Sequence, residues 1–206
     1  MNIPHIITLS GPSLSGKTEL SKILSNEFHY NAVVSVTTRP IRKQETDGID
    51  YHFINENEYS KLSLIQKTNY NGYNYGVTEE EVLTKKEKPI LWVIAPKSIS
   101  QVEDICKEKG YLLTKVFVNN PSDVLIGRLF LRFKEDILAD VKTYVKRLED
   151  MVNIEKDWIN QATYDIVIPE FNQNNKEEMV QMVVDKIKQR ELEFNNNESK
   201  RLKLKR

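Results

Sequence analysis

The stretch that decides the fold is Ile6-Ile7-Thr8-Leu9-Ser10-Gly11-Pro12-Ser13-Leu14-Ser15-Gly16-Lys17-Thr18. Residues 6–9 form a short apolar run that reads as a buried strand. Residues 11–18 fit the pattern Gly-x-x-x-x-Gly-Lys-[Ser/Thr]. After Gly16 the period changes, and Leu20, Ile23, Leu24 and Phe28 fall on one face of a helix. A strand, a glycine-bearing turn and a helix in this order aim backbone N–H groups and a helix N-terminus at one point, which suits phosphate oxygens. The Lys17 ammonium is placed for the outer phosphates of a nucleotide, and the Thr18 hydroxyl for Mg²⁺. Gly11, Pro12, Ser13, Leu14, Ser15, Gly16, Lys17 and Thr18 are therefore the expected phosphate-binding residues.

Further along, apolar runs and helical stripes alternate. Ile90–Ala95 is a buried-strand candidate stopped by Pro96. Ile99, Val102, Ile105 and Cys106 make a helical stripe, with Ser98 as N-cap and Gly110 as stop. Leu112–Val118 reads as a third strand, and Pro121-Ser122 opens a helix through Leu125 and Leu129. Amphipathic helix, in one or two pieces, is expected over Asp140–Gln161, a fourth strand over Tyr164–Ile168, and a last helix over Glu177–Glu193. Alternating strands and helices predict a three-layer α/β fold on a parallel sheet. Val33–Val82 breaks the rhythm. It is rich in Thr, Tyr, Asn and Arg and reads as an inserted, substrate-facing lobe.

Composition bounds the function. The 206 residues suit one domain with a modest insertion, 39% apolar content is enough for one core, and 30 basic residues balance 30 acidic ones. No whole-molecule field points to nucleic acid or to a membrane, and no apolar run nears the roughly 20 residues that span a bilayer. Cys106 is the only cysteine, so no intrachain disulfide forms, which fits a reducing, cytoplasmic setting. No signal peptide is expected, because Pro4 and His5 interrupt a short apolar stretch. Residues 191–206 read as a basic, flexible tail, whose last eight residues carry five basic side chains.

The inserted segment identifies an acceptor. It reads Ser35-Val36-Thr37-Thr38-Arg39-Pro40-Ile41-Arg42, then Asp47-Gly48-Ile49-Asp50-Tyr51-His52-Phe53, then Asn71-Gly72-Tyr73-Asn74-Tyr75-Gly76. Two arginines three apart, with phenols nearby, make a compact clamp for a phosphate dianion. These segments, with Gly11-Pro12-Ser13, resemble the guanylate kinases, nucleoside monophosphate kinases of the P-loop NTPase fold. The resemblance runs from residue 5 to about residue 170. It implies Mg·ATP-dependent phosphorylation of GMP or dGMP, with 33–82 as the acceptor lobe and about 130–150 as a lid. It implies that Arg39, Arg42, Tyr51 and Tyr75 hold the acceptor phosphate, and that Ser35, Gln66 and Thr78 lie near the base. Arg128-Leu129-Phe130-Leu131-Arg132 and Arg147-Leu148 resemble the family's lid arginines. Lys17, Arg42, Arg132 and Arg147 would then neutralise charge on the transferring group, while Arg128 stacks near the adenine or stays structural.

The departures from the family pattern cluster. Gln66 stands where an acidic residue would meet guanine, and Val77 where a serine is usual. Leu91-Trp92-Val93-Ile94 lacks two strand aspartates, and Pro169-Glu170 stands where an asparagine is usual after the last strand. Phosphate contacts survive, while base and metal contacts are thinned. The alternatives to a GMP kinase are a kinase of relaxed base choice and a catalytically weak nucleotide-binding or interaction module. Retention of Lys17 and the whole phosphate loop favours an enzyme, acting as a monomer or homodimer.

Overall fold

The computed structural model of the protein describes residues 3–42, 45–70, 72–84, 87–134 and 141–204. The chain runs β1 (His5–Ser10), α1 (Lys17–Phe28), β2 (Asn31–Ala32), β3 (Val36–Thr37), β4 (His52–Phe53), α2 (Glu56–Tyr59), β5 (Leu64–Tyr70), β6 (Tyr73–Thr78) and α3 (Glu79–Leu83). It continues through β7 (Ile90–Val93), α4 (Ile99–Lys109), β8 (Leu112–Val118), α5 (Ser122–Phe133), α6 (Val141–Asn153), β9 (Ile166–Ile168) and α7 (Lys176–Leu204). Two 3₁₀ turns, Pro96–Ser98 and Glu155–Gln161, precede α4 and follow α6.

The central sheet is parallel, in the order β2-β7-β1-β8-β9. All six residues of β1 are buried, as a strand covered on both faces requires. On one face, Leu20 and Leu24 of α1 and Val180, Val183, Val184 and Ile187 of α7 pack against Ile7, Leu9, Val116 and Val118. On the other, Ile99, Val102 and Cys106 of α4 pack against Ile6, Ile90 and Trp92. β1 is the middle strand, so the turn at its C-terminal end opens into the crevice where such sheets bind ligands. A second sheet, β4-β3-β6-β5, forms the inserted lobe, with β6 antiparallel to both β3 and β5. Val77 and Val82 of this lobe join the α4-side core.

The predicted elements are present, with altered ends. β7 stops at Val93 rather than Ala95, because Pro96 cannot donate to a ladder and opens a 3₁₀ turn. The expected strand over 164–168 is confined to Ile166–Ile168. The 140–161 region divides into α6 and a 3₁₀ turn. Gly110 ends α4 in the left-handed region, at φ 68°. The largest difference is α7, which continues to Leu204 through most of the segment expected to be a flexible tail. That stretch contains no Gly or Pro and is rich in Glu, Lys, Arg and Leu, which favour helix even without packing.

Candidate functional site

The phosphate loop is shaped by two glycines and braced from behind. Gly11 has φ 146°, and a Cβ there would lie 2.3 Å from the Val118 carbonyl oxygen. Gly16 has φ 101°, and a Cβ there would lie 2.5 Å from the ring of buried Phe171. Asn120 donates Nδ2 to the Ser15 carbonyl at 2.6 Å, and its Oδ1 accepts the Phe171 N–H at 2.9 Å. Arg128 donates to the Leu14 carbonyl at 2.9 Å and to the Phe171 carbonyl at 2.6 Å. Arg128 thus has a structural place: it ties the loop to the segment after β9. Leu14 sits at φ 64°, strained for a residue with a side chain, and this bond helps hold it there.

Lys17 curls back over the loop, donating to the Pro12 carbonyl at 2.6 Å and to Ser15 Oγ at 3.3 Å. Burial pulls its ammonium down to about 8, and the Glu155 carboxylate opposes that shift. Thr18 is exposed in the first turn of α1. Glu155 itself is 1% exposed. One of its oxygens accepts the Ser13 backbone N–H at 2.6 Å. The other accepts Ser13 Oγ at 2.7 Å and the Tyr70 hydroxyl at 2.6 Å.

On the acceptor side, Arg39 is buried and paired with Glu45 through both terminal nitrogens, each at 2.9 Å. Its guanidinium lies over the rings of Tyr51 and Phe53, 5.4 and 5.5 Å from their centroids. Tyr51 meets Tyr75 edge-on at 5.9 Å. Glu45 also accepts the Arg42 backbone N–H at 2.9 Å. Arg39 and Glu45 therefore form a rigid platform from which exposed Arg42 projects. Partial desolvation by the surrounding chain, followed by the charges of Arg147, Arg39 and Arg132, pulls Arg42 down to about 10, with Glu45 opposing. Arg147 is lowered by burial and then by Arg132 and Arg39. Cations from the lobe, α5 and α6 thus converge on one region, which an anion would relieve.

At the base end, Ser35 accepts the His52 N–H through its carbonyl at 2.9 Å. The Thr78 hydroxyl caps α3 by accepting the Glu81 N–H at 3.3 Å. Gln66 is buried and donates its amide to Ser98 Oγ at 3.1 Å. Ser98 is the N-cap residue of α4, as predicted, but its hydroxyl serves Gln66 rather than the helix. Trp92 and Ile94 are buried in the α4-side core, and the Trp92 indole N–H has no hydrogen-bond partner among the described residues.

Of the sequence-predicted residues, Arg39, Arg42, Arg132 and Arg147 lie within electrostatic reach of one another, whereas Gln66 is buried against Ser98 and the Thr78 hydroxyl caps α3. The resemblance makes Arg39 a phosphate ligand, and in the structure both its terminal nitrogens pair with Glu45. Sequence reasoning missed Glu45, Tyr70, Asn120, Glu155 and Phe171. Glu45 carries a weak signal, lying three residues after Arg42. Glu155, remote in sequence from everything it touches, carries none.

A family model described as guanylate kinase matches residues 4–190. The guanylate kinase of Mycoplasmoides gallisepticum is 34% identical over 173 residues, covering 79% of this chain and 83% of that protein. The guanylate kinase of Sulfurimonas denitrificans is 29% identical over 186 residues, covering 87% and 86%. Among solved structures, guanylate kinase from Anaplasma phagocytophilum superposes with a TM-score of 0.60 at 22% identity, covering 93% of this chain and 88% of that one. At that identity the likeness speaks for the fold.

Proposed function

The chain belongs to the guanylate kinase family, and from that premise we propose that it transfers the γ-phosphoryl group of Mg·ATP to GMP or dGMP. The observation that carries this reading is the convergence of Arg42 from the lobe with Arg132 and Arg147 from the lid helices. Phosphoryl transfer asks the protein for alignment and charge neutralisation rather than covalent chemistry. The loop N–H groups and Lys17 hold the donor phosphates. Arg42, on its Arg39–Glu45 platform and beside Tyr51 and Tyr75, holds the acceptor phosphate. Arg132 and Arg147 neutralise charge between the two. The acceptor phosphate is already largely ionised, so no general base is required.

The donor set suits Mg²⁺ held chiefly by the nucleotide. Among the described residues no three acidic, His or Cys side chains are grouped so that they could hold a metal ion. The exposed Thr18 hydroxyl supplies one hard oxygen, and Mg²⁺ in such sites commonly takes the rest from phosphates and water. When bound, the ion would neutralise phosphate charge. Gln66, Val77 and Ile94 support a guanine preference looser than the family's usual polar residues would enforce. No described helix is long and apolar enough to cross a membrane.

The test is ADP release with Mg·ATP across the common ribo- and deoxynucleoside monophosphates. Turnover greatest with GMP or dGMP is expected. Equal rates for all acceptors, or none above the acceptor-free rate, would overturn the reading.

A further inference from the structure

Donor and acceptor phosphates are held by different bodies: the loop after β1 and the inserted lobe. Their alignment requires a mechanical link, and the structure contains one that the reaction chemistry does not use. The carboxylate of Glu155 touches both bodies. It accepts the Ser13 N–H at 2.6 Å and Ser13 Oγ at 2.7 Å in the loop, and the Tyr70 hydroxyl at 2.6 Å at the end of β5 in the lobe. The Tyr70 ring also meets Trp158 edge-on at 5.9 Å, within the same 3₁₀ turn that carries Glu155. That turn follows α6, the helix of Arg147. Loop, lobe and lid therefore share one buried carboxylate.

We propose that Glu155 is a positioning residue that couples acceptor-lobe placement to the phosphate loop through Tyr70 and Ser13. The reasoning is energetic. A carboxylate 1% exposed depends on its hydrogen-bond donors, and losing one is costly. If the lobe swings outward, the Tyr70 hydroxyl leaves and the carboxylate keeps only its two hydrogen bonds from Ser13. If acceptor binding draws the lobe in, Tyr70 shares that charge and the carboxylate settles against Ser13. The Ser13 backbone then holds its place in the tight turn closed by the Ser15 N–H on the Pro12 carbonyl at 3.2 Å. The link is reciprocal: an ordered loop places Glu155 to receive Tyr70, so each ligand favours the other. Other contacts between lobe and core, such as Lys67 with Gln101 and Lys22 with Asp50, reach α4 and α1 rather than the loop.

This inference rests on the GMP-kinase reading, and the test separates the two. GMP affinity is measured calorimetrically with and without a saturating non-hydrolysable ATP analogue and Mg²⁺, in wild type, Tyr70→Phe and Glu155→Gln. Wild type is expected to bind GMP about fivefold or more tightly with the analogue present. In Tyr70→Phe, which removes one hydroxyl and keeps the ring on Trp158, the ratio should fall to near one. Glu155→Gln should behave likewise and keeps the test open if Tyr70→Phe folds poorly. A wild-type ratio near one, or a Tyr70→Phe ratio equal to a high wild-type ratio, overturns the coupling. Failure of wild type to release ADP in response to GMP overturns the functional reading instead.

Discussion

Gln66 donates its side-chain amide to the hydroxyl of Ser98 at 3.1 Å, inside the wall between β5 and α4. In the guanylate kinase pattern the position of Gln66 is acidic and accepts hydrogens from guanine. An amide has one acceptor oxygen and an NH₂ with two donors, one of which is given to Ser98 here. An amide at this position offers a bound base one acceptor oxygen where a carboxylate offers two.

Gln66→Glu is accordingly expected to lower the KM for GMP, with little change for AMP. The gain should be about tenfold, the scale of one buried hydrogen bond. Ser98→Ala should weaken guanine selectivity by releasing the amide. Steady-state kinetics on both monophosphates checks this. A wild-type preference for GMP over AMP above about 10⁴-fold, the level of fully hydrogen-bonded recognition, would show that another residue supplies the missing acceptor.

Lys17→Met should lower kcat by about 100-fold or more, because the ammonium acts most strongly on transferring charge. Single-turnover kinetics at saturating substrates is the measurement. Near-normal chemistry in the mutant would remove Lys17 from the mechanism.

The desolvation of Lys17 has a pH signature. Desolvation holds the Lys17 ammonium at about 8, below the ordinary 10.5, so between these limits the unfolded chain binds more protons and this group's contribution to stability rises with pH. Nucleotide phosphates favour the charged form. ATP binding should thus take up almost no proton near pH 6.5 and about one near pH 9. Calorimetry in two buffers of different ionisation enthalpy reads this directly, and pH-independent uptake would contradict it.

Arg42→Ala should raise the KM for GMP by about tenfold or more while leaving ATP affinity within a small factor, since it removes a charge-assisted phosphate contact from the acceptor side alone. Glu45→Gln should act differently. It leaves buried Arg39 without its paired charge and should cost about 3 kcal/mol of stability besides weakening GMP binding. Thermal denaturation separates the two variants.

Asn120→Ala should destabilise the loop from behind. It leaves the Ser15 carbonyl and the Phe171 N–H without this shared partner, at a cost of about 1–3 kcal/mol for each group left unsatisfied. ATP affinity should fall more than GMP affinity, as isothermal titration of each ligand would measure.

The sequence by itself determined the parallel α/β core, the phosphate loop, the inserted lobe and the arginines. Those readings rest on local physics. An apolar run ending in Gly11, a helical stripe from Leu20 to Phe28, and a cluster of Arg and Tyr each state their role within a few residues. The fold alone decided how these parts are held. Arg39 is held as a platform because Glu45 lies within reach of its fork. Arg128 became a brace because α5 passes behind Leu14. The 191–204 stretch joined α7, since a chain without breakers continues a helix already nucleated by packing. Glu155 acquired its place from residues 85 and 142 positions away. Buried polar groups take partners by proximity in space, and that proximity exists only after the sheets, helices and lobe have been brought together.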